Sequence, residues 1–398
     1  MKTNTDPDQV CVISHHQGIQ KTYRQLYQDV NRLAVSLLNL GLRKGDVAGA
    51  WSANVYEYLV IQYACAKLGV INCSLNPVYK SGELEYALSK AKHKVLFLPT
   101  KESRQKIIND FHGVMSQIDF SKTHLKHLVF LESTEDDLAR FADGQFAHTF
   151  DSLLSNDGMV PTEVTDQVVP EDLATIYFTS GTTGKPKGAM SDQFAIVNNI
   201  RIISVSKLNA DDKERAITLV PLPFFHVYAG LIGIFSICIR PSTIVLNDVR
   251  YTAKGVAECI SQYKCTDLWS VPTMLVDIQN HLKKKPGAYD LSSLLRVGCG
   301  AAPVPVEVVR ESMQIFPNLK NVVVGYGATE TTALGAYPAP GTSQQVINET
   351  VGTPQDFTQM KVVDTKTGKM VKHGETGELL VKGFSIMRGY LDDPAILY

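Results

Sequence analysis

Short apolar, β-branched stretches alternate with amphipathic helical patterns through most of the chain. In the first third, residues 26–38 and 56–68 carry helical patterns, and each ends at a glycine, Gly41 or Gly69. Strand patterns follow each of them. Because a parallel connection between strands needs a crossover long enough to hold a helix, this alternation predicts α/β units with mainly parallel sheets.

The alternation is interrupted once and ends before the C-terminus. Residues 154–170 lack a clear periodicity, and from residue 349 the pattern changes to short strands joined by turns, which is typical of antiparallel sheets. We therefore predict an α/β domain over residues 1–348, made of two packed α/β subdomains with a break near 154–172. Residues 349–398 are predicted to form an incomplete, small β-barrel-like subdomain.

The balance of charges argues against one class of partner. The chain has 39 Lys and Arg residues against 40 Asp and Glu, a formal net charge of -1. It lacks the basic excess that binds nucleic acid or an anionic membrane surface. The longest apolar run, residues 228–239, is too short to cross a bilayer. We therefore predict no nucleic-acid partner and no transmembrane segment.

The cysteines indicate a reducing compartment. All seven are scattered, most lie in apolar surroundings, and they form no Cys-x-x-Cys pair. Buried, reduced thiols are expected, in preference to a disulfide framework or a zinc site. No signal peptide is visible, because residues 1–9 are polar and acidic.

A segment rich in glycine and hydroxyl groups, residues 179–188, follows a strand pattern. It contains four hydroxyl side chains, three glycines and two lysines. Glycines let backbone N–H groups turn toward an anion, and hydroxyl and ammonium groups add donors, so the segment predicts a polyphosphate-binding loop. It is not a Walker A loop, because Thr179 replaces the first glycine and Pro186 replaces the Ser or Thr of that motif. The alternative is a polar surface loop without a ligand.

Three further segments could serve the same site, although each alone has a structural explanation. In residues 325–331, glycines flank Tyr326, which could stack on a base, and Glu330 could bind Mg²⁺. The small residues at 298–303 would let a flat ligand approach the backbone at a strand end. His226 lies among aromatic residues, where a lone histidine is more often part of the core.

Together and in this order, the four segments resemble the adenylate-forming (AMP-binding) superfamily of acyl-CoA synthetases, 4-coumarate-CoA ligases, firefly luciferases and nonribosomal adenylation domains. The block at residues 377–390 is also similar to this family. Residues 271–278 and the pair at 198–199 resemble its acyl-CoA synthetase family member 2 type, which handles medium-chain fatty acids. The resemblance covers essentially the whole chain and implies the α/β fold of the N-terminal domain of these enzymes.

The resemblance implies an acid-thiol ligase of fatty acid metabolism that uses ATP, Mg²⁺ and coenzyme A. A fatty, medium-chain carboxylate would be activated to an acyl-adenylate and then to an acyl-CoA. The implied catalytic residues are Lys187, His226, Thr329 and Glu330, and Glu330 is the implied ligand of Mg²⁺. The implied nucleotide-binding residues are Thr179, Ser180, Gly181, Thr182, Thr183, Gly184, Lys185, Pro186, Lys187, Gly300, Ala301, Ala302, Gly325, Tyr326, Gly327 and Thr329.

Two other readings remain open: a non-catalytic nucleotide- or acyl-binding homologue, and an aryl-CoA ligase of the 4-coumarate type. Val324 stands where the family usually has a polar residue, which favours an aliphatic substrate. Residues 228–239 and 271–274 would line the acyl tunnel.

The resemblance also implies regions beyond Tyr398: a Gly-Asp motif, a hinge and a mobile C-terminal domain. Without them, formation of the CoA thioester is expected to be absent or very slow. The family branch suggests mitochondria, the cysteines fit a cytoplasmic protein as well, and no transit peptide is visible, so the compartment stays open.

Overall fold

A computed structural model describes residues 6–108, 110–133, 137–138, 146–179, 185–206, 215–339 and 341–393. Its strands are β1 (Val10–Ser14), β2 (Ile19–Thr22), β3 (Val47–Trp51), β4 (Ile71–Leu75), β5 (His93–Leu98), β6 (His127–Phe130), β7 (Ala147–Thr149), β8 (Leu173–Thr179), β9 (Lys187–Asp192), β10 (Ala216–Leu219), β11 (Ser242–Leu246), β12 (Asp267–Ser270), β13 (Arg296–Cys299), β14 (Asn321–Val324), β15 (Ala336–Tyr337), β16 (Thr353–Pro354), β17 (Thr358–Val363), β18 (Glu378–Gly383) and β19 (Gly389–Tyr390).

The α-helices lie mostly between these strands. They are α1 (Tyr23–Asn39), α2 (Tyr56–Leu68), α3 (Ser81–Lys90), α4 (Lys101–Lys106), α5 (Phe111–Ser116), α6 (Phe150–Leu154), α7 (Thr162–Thr165), α8 (Gln193–Ser206), α9 (Ile234–Ile239), α10 (Ala253–Tyr263), α11 (Pro272–Lys283), α12 (Val306–Ile315) and α13 (Gln344–Glu349). Short 3₁₀ turns occur at Phe120–Lys122 and Thr329–Thr331, and a π-helix at Tyr228–Gly233 leads into α9.

Two large sheets organise these elements. One has eight strands in the order β19-β9-β8-β4-β3-β5-β6-β7, and the other has seven in the order β14-β13-β12-β10-β11-β1-β2. Both are mainly parallel, with antiparallel pairs toward their edges at β1–β2, β8–β9 and β9–β19. The predicted α/β class is confirmed, and β17 and β18 form the small antiparallel sheet expected near the C-terminus.

The two sheets exchange strands along the chain. β1 and β2 begin the described chain but join the seven-stranded sheet beside β11, whereas β8 and β9 join the eight-stranded sheet. Residues on both sides of the predicted break near 154–172 thus contribute to both sheets. The positions of the domain boundaries stay a prediction.

Helices α1 and α2 lie in the core that the two sheets share. Thr22 caps α1: its hydroxyl accepts from the Gln25 N–H, and the Gln25 side chain accepts from the Thr22 N–H. The apolar face of α1, with Leu33 and Leu37, is fully buried against residues of both sheets. α2 ends at Gly69 in the left-handed conformation, as its sequence indicates. Burial of these apolar faces is what stabilises the helices, since propensity contributes little by comparison.

Two further expectations are met within the described residues. All seven cysteines are free, and six of them are buried while Cys238 is partly exposed. Across those residues, no helix combines the length and apolar character that a bilayer span requires.

The parallel strands fix where a site can form. β12, β13 and β14 are adjacent and parallel, so their carboxyl ends meet at one edge of the seven-stranded sheet. The segments that begin at Gly300 and Gly325 leave this edge side by side. Clefts at the carboxyl ends of parallel strands are the usual ligand sites of such sheets.

Candidate active site

A cavity of about 430 Å³ opens where β12, β13 and β14 end. Three of the four segments singled out in the sequence contribute to its walls. The predicted site residues that line it are His226, Gly300, Ala301, Gly325, Gly327 and Thr329. Apolar side chains line the rest, among them Leu222, Val271, Met274, Val323 and Leu334. The cavity therefore joins a region of small residues and exposed backbone to an apolar region, which suits a ligand with one polar and one apolar part.

The loop after β14 folds back on itself beside this cavity. The backbone N–H groups of Tyr326 and Ala336 each donate to the other's carbonyl oxygen, at 2.9 and 3.0 Å. A Cβ atom at Gly327 would stand 1.6 Å from the carbonyl oxygen of Ala333, so only glycine fits there. This close approach gives the Gly-Tyr-Gly sequence a structural reason and leaves Thr329 at the cavity wall.

One aromatic side chain connects the end of the predicted phosphate loop to the predicted magnesium ligand. The ammonium nitrogen of Lys187 lies 5.1 Å from the centroid of the Tyr390 ring. The Tyr390 hydroxyl donates to Oε1 of Glu330. Burial and the neighbouring Glu330 carboxylate raise the pKa of Tyr390, so its hydroxyl stays protonated and remains a donor. Lys187 and Glu330, 143 positions apart in the sequence, are thus gathered around a single side chain.

The strand that carries Tyr390 holds Lys187, Glu330 and Tyr390 together. β19 pairs antiparallel with β9, and just before it the N–H of Met387 donates to the backbone carbonyl of Glu330 at 2.9 Å. Beside them, the guanidinium of Arg388 donates to the buried carboxylate of Asp192 at the end of β9. This C-terminal segment is therefore bonded both to β9 and to the loop after β14, and it fixes the spacing between them.

A buried asparagine in α8 holds the same loop. Nδ2 of Asn199 donates to the carbonyl oxygen of Leu334 at 3.0 Å and to that of Thr331 at 3.3 Å. The hydroxyl groups of Ser191, in β9, and Thr332 are 3.1 Å apart. Asn199, of the asparagine pair that resembles one branch of the family, thus attaches the loop after β14 to α8, whereas Asn198 bonds to Phe194 within α8.

The structure describes the two ends of the predicted phosphate loop. Its remaining members lie outside the described residues: Ser180, Gly181, Thr182, Thr183 and Gly184. At the ends, Thr179 in β8 stands opposite Lys187 in β9. The ammonium of Lys185 lies 5.4 Å from the centroid of the Tyr86 ring, whose hydroxyl donates to the Pro186 carbonyl at 3.3 Å. The segment therefore starts and finishes at one end of the β8–β9 pair.

His226 stands at the cavity wall, not in the core. Its backbone N–H donates to the Pro223 carbonyl at 3.1 Å. Its backbone carbonyl accepts from the Gly230 N–H at 2.8 Å, at the start of the π-helix. Surrounding protein groups desolvate the imidazole and lower its pKa below 6.5. A neutral imidazole has one donor and one acceptor, so at neutral pH it can orient an anionic group without adding charge.

Three further predicted site residues, besides the described ends of the phosphate loop, do not line the cavity. Ala302 is exposed to solvent beyond Ala301, and the Tyr326 backbone is bonded within its own loop. Glu330 lies next to Thr329 and points to Tyr390. Their roles in binding adenine and Mg²⁺ stay predictions.

The apolar end of the cavity is formed by fewer residues than the sequence suggested. Of the stretch 228–239, Tyr228 and Ala229 line the cavity, whereas Ile234 and Ile237 are buried in the core. Among the described side chains of this stretch, only the first two therefore border the cavity, and the buried isoleucines stabilise the fold.

Strand register decides which side chains of β12 and β14 meet the cavity. Alternate residues of a strand point to opposite faces, so Val323 lines the cavity and Val324 does not. Trp269 of β12 also lines it. Both residues, like Tyr390, were missed by sequence reasoning. Tyr390 could have been found, because it lies within the block at residues 377–390 that is similar to the family. Trp269 and Val323 could not, because only the register of the strands shows that they face the cavity.

The donor groups fit a cation that arrives with a nucleotide. Among the described residues, no group of three or more His, Cys, Asp or Glu side chains could hold a metal by itself. Mg²⁺ is usually held by one or two carboxylates together with phosphate oxygens of the substrate. Glu330 supplies one carboxylate, with Oε1 oriented by Tyr390.

Comparison with known proteins gives a consistent result. The sequence model of the family described as AMP-binding enzyme matches residues 2–391. The mitochondrial medium-chain acyl-CoA ligase ACSF2 of Danio rerio is 29% identical over 406 residues, which cover 97% of this chain and 64% of the relative. The Bos taurus relative of the same name is 30% identical, covering 98% of this chain and 64% of its own length. The chain thus spans less than two thirds of the length of these relatives.

A solved structure shares the fold. The long-chain-fatty-acid-CoA ligase FadD1 from Archaeoglobus fulgidus aligns with a TM-score of 0.79 at 22% identity, covering 97% of this chain and 74% of that one.

Proposed function

Because the chain belongs to the AMP-binding enzyme family, we propose that it activates a medium-chain fatty acid with ATP, forming an acyl-adenylate and then an acyl-CoA. One observation carries the proposal: a single cavity has Thr329 and small residues at one end and apolar side chains at the other. An acyl-adenylate has the same division between a polar nucleotide and an apolar tail. The names of the medium-chain relatives support the choice of acid.

In the proposed reaction, a carboxylate oxygen of the fatty acid attacks the α-phosphate of ATP, and pyrophosphate leaves. The chain contributes no covalent nucleophile, so its residues position the reactants and stabilise charge. Lys187 binds the departing phosphates, Thr329 donates to the α-phosphate, and neutral His226 orients the carboxylate. Mg²⁺, when bound at Glu330, supplies further neutralisation of the phosphate charge. The thiol of coenzyme A then displaces AMP from the acyl group.

Two experiments test the proposal. The first measures, by calorimetry, binding of ATP with Mg²⁺ and of octanoyl sulfamoyl-adenosine, a stable analogue of the acyl-adenylate. The second follows pyrophosphate release and thioester formation with ATP, Mg²⁺, coenzyme A and octanoate. We expect the analogue to bind more tightly than ATP, since it fills both ends of the cavity. We expect pyrophosphate release that depends on octanoate.

Each outcome distinguishes the alternatives. A chain that binds neither ATP nor the analogue contradicts the proposal. Binding without pyrophosphate release supports a non-catalytic homologue. A tighter fit for the 4-coumaroyl analogue than for the octanoyl analogue supports an aryl-CoA ligase, which the aliphatic lining from Val271, Met274 and Val323 disfavours.

A further inference from the structure

A second, smaller cavity of about 60 Å³ lies next to the apolar end of the first. The two cavities share four wall residues, which are Ile203, Trp269, Gly298 and Val323. Three of them stand side by side across the sheet, because Trp269 is in register with Gly298 and Gly298 with Val323. This row of three residues, one on each of three neighbouring strands, separates the two cavities.

Trp269 lies over this row because its neighbour has no side chain. A Cβ atom at Gly298 would stand only 2.7 Å from Cε3 of the Trp269 indole. The indole therefore rests on the sheet at Gly298, in space that any other residue would occupy. The Tyr228 ring meets the indole edge-on, with the centroids 5.7 Å apart, and helps to fix its orientation.

The next row on the same face is polar and charged. Thr218, Asp267 and Arg296 are in register on β10, β12 and β13, two residues before the Trp269 row. Nε and Nη2 of Arg296 donate to the two carboxylate oxygens of Asp267 at 2.6 and 2.8 Å. Arg240 lines the same small cavity. An alkyl tail that reached this space would bring apolar surface against ionised groups and offer them no hydrogen bonds, which is unfavourable.

We propose that Trp269, supported on Gly298, is the floor of the acyl site and sets the longest fatty acid that the chain accepts. The inference rests on the proposed function and adds a limit on chain length to it. Acyl tails that end at the indole bury all of their methylenes. A longer tail must displace the indole and then contacts the Asp267–Arg296 pair.

The test uses saturated acyl sulfamoyl-adenosines of increasing length, with affinities measured by calorimetry. In the wild type, affinity rises about fourfold with each added methylene that is buried. It stops rising when the tail meets the floor, and we call that tail length the turning point. Trp269→Ala removes the floor, so the turning point moves to longer tails, by about two methylenes or more. Val271→Ala is the control, because it alters the wall of the same cavity: it weakens every analogue and leaves the turning point where it was.

A second variant acts in the opposite direction. Gly298→Ala adds a methyl group beneath the indole, raises the floor and moves the turning point to shorter tails. In the Trp269→Ala background the same substitution has nothing to displace, so the shift disappears. ATP binding and thermal unfolding, measured for every variant, identify a variant that fails to fold.

The outcomes separate this inference from the proposed function. A turning point that Trp269→Ala leaves unchanged, or a Gly298→Ala shift that persists without the indole, overturns the floor while the ligase proposal stands. A wild-type chain that binds no analogue of any length overturns the proposed function, and the inference with it.

Discussion

The two ends of the main cavity are built in different ways. Next to its Thr329 end, which we propose as the nucleotide end, Lys187, Glu330 and Tyr390 lie outside the cavity wall. They come from distant parts of the chain and are gathered by contacts between loops and a short strand. At the apolar end, which we propose as the acyl end, Trp269 and Gly298 are in register inside a regular sheet. The first end depends on which donors and charges are present, whereas the second depends on volume. Variants at the nucleotide end should therefore weaken the binding of both ATP and the acyl-adenylate analogue. Variants at the acyl end should weaken the binding of the analogue only.

The largest effect is expected from Lys187→Ala. Loss of one charge-assisted phosphate contact should weaken ATP binding by about 1.5–3 kcal/mol without unfolding the chain. Calorimetric titration with ATP and Mg²⁺ measures the change, and a thermal melt checks the fold. Lys361→Ala, at an exposed position on β17, is the matched control and should leave ATP binding unchanged. Equal affinities of the Lys187→Ala chain and the wild type would remove Lys187 from the site.

Met274→Ala examines the other end. The half-buried Met274 side chain lines the apolar wall, and its loss should weaken the octanoyl analogue by about 1–2 kcal/mol through lost apolar burial. ATP, which does not fill this wall, should bind as before. A parallel loss of ATP affinity would show that the two ends are not separable.

Tyr390→Phe should have a smaller effect, because it keeps the ring beside Lys187 and removes only the hydroxyl that orients Glu330. We expect ATP binding to weaken by about 0.5–1.5 kcal/mol when Mg²⁺ is present, and by less when it is absent. Tyr289→Phe is the control, since the Tyr289 hydroxyl bonds to His281 of α11 at 3.0 Å. A loss that is the same with and without Mg²⁺ would contradict a positioning role toward Glu330.

The smallest effect concerns pH. The pKa of His226 is lowered from 6.5 by desolvation, so its imidazole is neutral at about pH 8 and takes up its proton with a midpoint below 6.5. Affinity for the octanoyl analogue should therefore change with a midpoint below pH 6.5, and His226→Gln should abolish that change. The free energy of unfolding should also fall with pH. Because the folded chain disfavours the protonated imidazole of His226, this residue lowers stability as the pH falls below 6.5. A titration midpoint above 6.5 in the binding data would contradict the lowered pKa.

The same contrast between the ends explains what the sequence could predict. Gly327 stands out in the sequence because a close backbone approach demands glycine, and Thr329 because a hydroxyl group after a strand end is a candidate phosphate donor. The α/β class also follows directly from periodicity. By contrast, Trp269 and Val323 are ordinary strand residues, and only the pairing of β12, β13 and β14 shows which face they occupy.

Long-range pairing also hid the role of the C-terminal segment. Tyr390 reaches Glu330 because β19 joins the edge of a sheet whose other strands lie about two hundred or more residues earlier. Periodicity reports local structure, so neither this pairing nor the exchange of β1 and β8 between the sheets could be read from it. For the same reason, the sequence placed the whole stretch 228–239 at the ligand, although Ile234 belongs to the core.

The proposed function and the proposed floor together require one ligand that spans both ends, with its phosphoryl side near Lys187 and Glu330 and its tail ending at Trp269. A crystal structure of the chain with octanoyl sulfamoyl-adenosine tests this most directly. We expect the adenosine beside Gly300 and Ala301, and the octanoyl tail along Val271 with its terminal carbon against the indole. A tail directed to solvent, or an adenosine bound away from the carboxyl ends of β13 and β14, would contradict it.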